Sequence, residues 1–451
     1  MGAAGSTQLL RATEAALADG AEQLDLSNER IAVLPPAFIA AASYATHLTD
    51  LRLSSTGLTS LPASFGRLVA LERLALDRNL LKELPISFHE LRRLRTLDVS
   101  YNQLGGLLGN FCDLESLEHL WLQSNKLPEL PTALGNLRRL QSLFVQNNVL
   151  RGLPYSIVLL PGLQVLDASD NHIVDLPVEW ETCRALRTLR LAHNYLAAVP
   201  TGLWDLPELE ILTLAFNRLV ALPRPTPEAT MPSLTNLSGL RRSAAADELT
   251  ASVGLSFNRL DDFLPSLANM PKLRVLTYTQ NKLATFDAGR AAFFGLLDLV
   301  FLDLSENAIV SLPAGGDGLG WEVLAHLVEL HVTNNRLKSV PPGLERLPQL
   351  KFLNISGNQL ESLPDCIGDL ATLETLWCNG NELRGLPPTI ERWTQLHTLA
   401  IEHNPMTRVP LALASLESLT TLSMDRKSFA LLDPALITFC NSLPSFEIHG
   451  L

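Results

Sequence analysis

The chain has 451 residues, 47% of them hydrophobic, with a formal net charge of −12 at pH 7 and five cysteines. That length would ordinarily fill about three domains of roughly 150 residues, unless the chain repeats, because an array grows along one axis instead of closing separate cores. The acidic balance argues against a nucleic-acid-binding surface and against polybasic attraction to lipid, and no apolar run approaches the roughly 20 residues needed to cross a bilayer.

The first twenty residues, MGAAGSTQLLRATEAALADG, lack the charged start and continuous apolar core of a secretory signal. Cys112, Cys183, Cys366, Cys378 and Cys440 are odd in number and carry no CxxC spacing, which fits a reducing compartment. Together these features predict a cytoplasmic protein. Residues 1–20 are expected to form a capping helix over the first strand, through the amphipathic stretch TQLLRATEAALA. Met1 to Ser6 also fits M-G-x-x-x-[ST], which would place a myristoyl group on Gly2. A single acyl chain gives only reversible membrane contact, and no second anchor lies nearby.

From residue 21 onward one pattern governs the chain. LAHNYLAAVP at Leu191 is answered 23 residues later by LAFNRLVALP. Aligning on L-x-x-L-x-L-x-x-N-x-L gives fourteen asparagines in one column, seven at an unbroken interval of 23 from Asn79 to Asn217 and four more from Asn335 to Asn404. Glu29, Thr56 and Lys427 take the same slot in further copies, so about 17 repeats are predicted over residues 21–427. In LRTLDVSYNQLGGL, Leu97 and Val99 alternate with polar neighbours, the period of a short half-buried strand. Each strand is expected to pair with its counterpart in the next repeat. The asparagine, with two donors and an acceptor, is expected to satisfy buried backbone groups at each turn, a structural and not a chemical role.

Two irregularities interrupt the period. The Asn217–Asn258 interval is 41, and the excess falls in a Pro-, Ser-, Thr- and Ala-rich stretch, read as a loop over residues 224–248 that leaves the array. The intervals Asn281–Asn307 and Asn307–Asn335 are 26 and 28, with the excess assigned to TFDAGRAAFFGLLDL and PAGGDGLGWEVLAHL as longer return segments of helical character. Residues 428–451 read as a C-terminal cap, a helix followed by a tail.

The LPxxhxxLxxL ending, as in LPASFGRLVALERL, resembles the intracellular 23-residue class of leucine-rich repeats and is similar to the repeats of Ras-suppressor-like and Scribble-type scaffold proteins. That resemblance implies an α/β solenoid: a horseshoe with a parallel sheet on its concave side. It also implies a non-enzymatic scaffold or adaptor that binds a protein or peptide partner, commonly in signal transduction. An alternative is a structural subunit of a stable cytoskeletal, ciliary or other large assembly. A monomeric solenoid is expected.

Outward residues that alternate with the buried leucines are the variable, readable positions. The central outward column includes Asp98, Trp121, Phe144, Asp167 and Arg190 in consecutive repeats. With Tyr101, His119, His193 and Tyr195 these predict an aromatic and charged partner-binding patch, since exposed aromatics with arginine are what binding hot spots favour. A second, weaker patch comprises His331, Arg336, Phe352, Trp377, Glu402 and His403. The competing reading is that aromatics on neighbouring strands merely pack on each other. His172 and His193 beside Asp170 make a conceivable metal corner, but scattered surface histidines are common in repeats, so no metal or other cofactor is expected. No G-x-x-x-x-G-K-[ST], G-x-S-x-G or H-E-x-x-H occurs, and no enzymatic activity is expected.

Overall fold

The structure, a computed structural model, describes residues 20–34, 38–39, 47–222, 252–263, 267, 273–286, 289–314 and 320–449. The expected capping helix, Gly2 and the 224–248 loop lie outside the described residues. The chain divides into two compact units, Met1–Leu209 and Glu210–Leu451.

The first unit holds eight strands: β1 (Gln23–Asp25), β2 (Asp50–Arg52), β3 (Arg73–Ala75), β4 (Thr96–Asp98), β5 (His119–Trp121), β6 (Ser142–Phe144), β7 (Val165–Asp167) and β8 (Thr188–Arg190). Each pairs in parallel with the next, leucine opposite leucine and central outward residue opposite central outward residue. The second unit holds ten: β9 (Ile211–Thr213), β10 (Ser252–Gly254), β11 (Val275–Thr277), β12 (Phe301–Asp303), β13 (Glu329–His331), β14 (Phe352–Asn354), β15 (Thr375–Trp377), β16 (Thr398–Ala400), β17 (Thr421–Asp425) and β18 (Ser445–His449). These too pair in parallel and in succession. Both units are leucine-rich repeat solenoids. Strands β1 to β17 fall where the aligned pattern expects them, and β18 is one that the pattern does not contain.

Alternation builds the core. Leu97, Val99, Leu120, Leu122, Leu143 and Val145 are fully buried behind the sheet. Many return segments open with a proline whose extended backbone leads into a single 3-10 turn, as at Pro85, Pro154, Pro364 and Pro410. Proline fixes φ and carries no N–H, so it suits the residue just ahead of a turn whose first amides lack partners. The turn then delivers an apolar residue to the core from the far side: Phe65, Phe88 and Phe111 stack there at centroid spacings of 6.0 and 6.3 Å. In the second unit the two long return segments carry α1 (Arg290–Phe293) and a 3-10 turn at Trp321–Val323. Phe293, Phe294 and Trp321 meet edge to face where the extra residues enlarge the interior.

The asparagine column is a hydrogen-bonded ladder. Asn125 donates from Nδ2 to the carbonyls of Val99 and Leu122, each at 3.0 Å, and its Oδ1 accepts from the Leu104 amide at 2.9 Å. The same set recurs at Asn102, Asn148, Asn171 and Asn358. The ladder runs unbroken across the long interval within the second unit, where Asn258 reaches the Leu214 carbonyl at 3.0 Å and accepts from the Leu219 amide at 3.0 Å. Thr56 keeps part of the pattern with a hydroxyl bond to Leu53 at 3.1 Å.

Sequence reading gave no hint of the corner just before each asparagine, where the backbone is left-handed. Arg78, Tyr101, Ser124, Asn147, Asp170, His193, Phe216, Phe257 and His403 all have φ between 52 and 57°. The fold holds these non-glycine residues there through inter-repeat bonds such as Tyr101 N–H to the Gln123 carbonyl at 2.9 Å. Lys427 departs from its assigned slot: β17 runs on to Asp425 and leads straight into α2 (Arg426–Phe429), so the asparagine corner is absent there. α3 (Pro434–Ser442), capped by the Asp433 carboxylate on the Ala435 amide, precedes β18.

Candidate protein-binding face

On the sheet face opposite the leucine core, strand register places Asp98, Trp121, Phe144, Asp167 and Arg190 side by side on β4 to β8. Adjacent strands are about 4.8 Å apart. The Trp121 and Phe144 rings lie 5.8 Å apart with an interplanar angle of 4°, a stack running along the ladder. Both are half-buried. His119, one outward position earlier on β5, tilts against Trp121 at 5.9 Å. Arg190 reaches Asp167 at 3.6 Å, and Asp167 is 7% exposed, so the pair neutralises a buried carboxylate on the far side of Phe144.

Other predicted members sit apart from this column. Tyr101 and His193 occupy left-handed corners and Tyr195 follows the asparagine, so all three stand on the strand-to-loop rim. Tyr101 is exposed beneath the Arg78 guanidinium, 5.5 Å from its ring. Tyr195 stacks on His172 at 5.4 Å, so at that corner the imidazole lies against a phenol ring. No group of three or more metal-ligating side chains stands together among the described residues.

Asp98 bears on the site although its type alone did not mark it out. Burial pushes its carboxyl above the usual range, only partly offset by bonds from Ser100 and the charge of Arg78, while Asp77 adds to the rise. Two further carboxylates of this face have arginine partners, Asp50 with Arg52 and Arg73 at 3.2 and 3.0 Å and Asp167 with Arg190. Asp98 has no ion pair among the described residues; its bond is to the Ser100 amide at 2.9 Å. The Oε1 atoms of Gln123 and Gln146, one outward position beyond Trp121 and Phe144, are buried without a donor.

In the second unit four rings form a run: Phe301 to His331 at 5.2 Å, His331 to Phe352 at 4.8 Å, and Phe352 to Trp377 edge to face at 5.0 Å. Trp377 is 40% exposed, and His331 lies 3.4 Å from Glu329. Phe301, a first-position strand residue outside the central column, escaped the sequence reading. Arg336 and His403 are exposed on the rim, and Glu402 accepts from the Ser423 hydroxyl at 2.6 Å.

The four buried thiols are poor nucleophiles. Burial pushes Cys112 and Cys440 up to about 11 and Cys183 and Cys378 up to about 12. A cavity of about 380 Å³ opens beside the turns at Pro85 and Leu108, where Gly105 and Gly106 leave open space. His89 there is committed to the Ile86 carbonyl at 2.7 Å and Asn110 at 3.0 Å. Neither feature supplies an activated nucleophile.

This register, ladder and turn set define a leucine-rich repeat fold. Sequence comparison agrees: the leucine-rich repeat region family matches residues 342–432, and leucine rich repeat families match residues 46–104, 161–219 and 116–137. The platelet glycoprotein Ib alpha chain of Mus musculus is 52% identical over 62 residues, 14% of this chain and 8% of that protein's length. Among solved structures, a Leptospira interrogans LRR protein superposes with TM-score 0.64 at 24% identity, covering 97% of this chain and 98% of the other. The effector YopM of Yersinia pestis gives 0.56 at 26% identity, covering 91% and 90%. The plant peptide hormone receptor RGFR1, in complex with RGF2, gives 0.61 at 23% identity, covering 91% of this chain and 69% of that one. No helix among the described residues is long and apolar enough to cross a membrane.

Proposed function

We propose that the protein is a non-enzymatic interaction module that holds a protein or peptide partner on the open sheet face of β4 to β8. The carrying observation is the parallel Trp121–Phe144 stack, half-exposed in one column with the Asp167–Arg190 pair beside it. Packing along the ladder accounts for the contact between the rings but not for keeping both on a solvent face, where small or charged residues would serve solubility better. Aromatic side chains offer large contact area with few rotamers to freeze, and arginine adds directional donors. The RGFR1 structure, a receptor seen with its peptide hormone, supports this use of the fold.

The resemblance of the LPxx repeats to intracellular scaffolds and the five free thiols support a cytoplasmic adaptor or scaffold role. The aromatic run ending at exposed Trp377 supports a second contact surface on the other unit. The test is the double variant Trp121→Ala/Arg190→Ala in quantitative capture of soluble partners. Retention is expected to fall at least tenfold with the fold intact; retention equal to the parent would refute the assignment.

A further inference from the structure

Along the open face of the first unit, the order is carboxylate, indole, benzene, carboxylate, guanidinium, contributed by Asp98, Trp121, Phe144, Asp167 and Arg190. The two ends of the aromatic stack are chemically alike and electrostatically unlike. At the Phe144 end Asp167 is answered by Arg190 at 3.6 Å. At the Trp121 end Asp98 forms no ion pair among the described residues. Because the two rings are parallel and stacked along the ladder, the indole face turned away from Phe144 is directed toward β4, where Asp98 stands in register.

We propose that the Asp98–Trp121 step is a guanidinium cradle, in which an arginine side chain of a bound peptide stacks on the indole and pairs with the Asp98 carboxylate. The inference rests on the open face being the binding face, and names the chemistry that face selects. A guanidinium is planar, so it stacks on an aromatic face while its edge donates to a carboxylate; an ammonium has no plane to stack and is more strongly hydrated, so it does both less well. At the opposite end of the stack Arg190 already serves the Asp167 carboxylate. Burial holds the Asp98 carboxyl above its ordinary range, and the Ser100 bonds and the charge of Arg78 offset only part of the rise. Arg78 is the cation nearest in effect; it lies over the Tyr101 ring, 5.5 Å away, and pairs with Asp77 at 3.9 Å.

The test is selection of a random 12-residue peptide library on the full chain, followed by titration of the enriched peptides against the parent, Trp121→Ala and Asp98→Asn. Asparagine keeps the acceptor for the Ser100 amide, and thermal melting verifies that each variant is folded. The proposal expects enriched peptides to contain arginine, to lose at least tenfold in affinity on Trp121→Ala and on Asp98→Asn, and to lose as much when that arginine is replaced by citrulline, its neutral isostere. Replacement by lysine is expected to cost at least threefold. Peptides that depend on Trp121 but lack arginine, or that ignore Asp98→Asn, overturn the cradle and leave the binding face standing. Enrichment indifferent to Trp121→Ala, or no enrichment, overturns both.

Discussion

Replacing Asn125 by alanine removes one rung of the buried ladder. The amide group is almost wholly enclosed and makes three well-formed bonds, to the Val99 carbonyl, the Leu122 carbonyl and the Leu104 amide, at 2.9–3.0 Å. Alanine leaves the Leu104 amide buried without a partner, while the Val99 and Leu122 carbonyls each keep one bond, from Asn102 at 3.1 Å and Asn148 at 3.0 Å. The orphaned amide costs about 1–3 kcal/mol and each lost carbonyl bond about 0.5–1.5 kcal/mol, so the sum is roughly 2–6 kcal/mol. In a repeat array that loss is felt first by the neighbouring coils. Equilibrium urea denaturation measures the total, and hydrogen exchange over residues 99–127 localises it, with loss of protection expected at Leu104. Lys126→Ala, an exposed neighbour, is the control and should stay within about 0.5 kcal/mol. A loss below about 1 kcal/mol for Asn125→Ala with Leu104 still protected would refute the ladder as a source of stability.

The Trp121–Phe144 stack should matter more to binding than to folding: a double-mutant cycle to alanine is expected to give a coupling of only about 0.5–1.5 kcal/mol. Gly66 lies in a return turn where a Cβ would press into the Ser87 carbonyl, so Gly66→Ala should destabilise by about 1–3 kcal/mol, read from the urea midpoint. Titration with an aromatic disulfide at pH 8 should find no more than one fast thiol, the half-buried Cys366, in the native protein and five after unfolding. For Asp98 the sign is set by a folded pKa above the unfolded one: the folded state binds the extra proton, so stability falls as pH rises from the unfolded value of about 3.9 through the folded value. Asp98→Asn should therefore leave the melting temperature unchanged or higher at pH 7 relative to its effect at pH 3; a fall at pH 7 alone would contradict the burial argument.

Strand register was legible because side chains alternate with period two, so the spacing of leucines fixes which residue meets its counterpart. Trp121, Phe144 and Arg190 therefore fell into place from spacing alone. The left-handed corners were not legible: Arg78, Tyr101 and Phe216 have no local preference for φ near 55°, and the conformation is imposed by bonds from the next repeat. This is why Tyr101, His193 and Tyr195, grouped with the central aromatics by sequence proximity, stand on the rim. β18 was hidden because SFEIH lacks the repeat's leucines and follows a helix. Asp98 was visible in the column but unremarkable, since the absence of a counter-charge is a property of its neighbours.

The most direct test of the binding face is photo-cross-linking with p-benzoylphenylalanine in place of Phe144, compared with the same residue in place of Ile86, an exposed position in a return turn. Adducts with the captured partner are expected from position 144 and not from 86. Adducts from 86 with none from 144 would contradict the account.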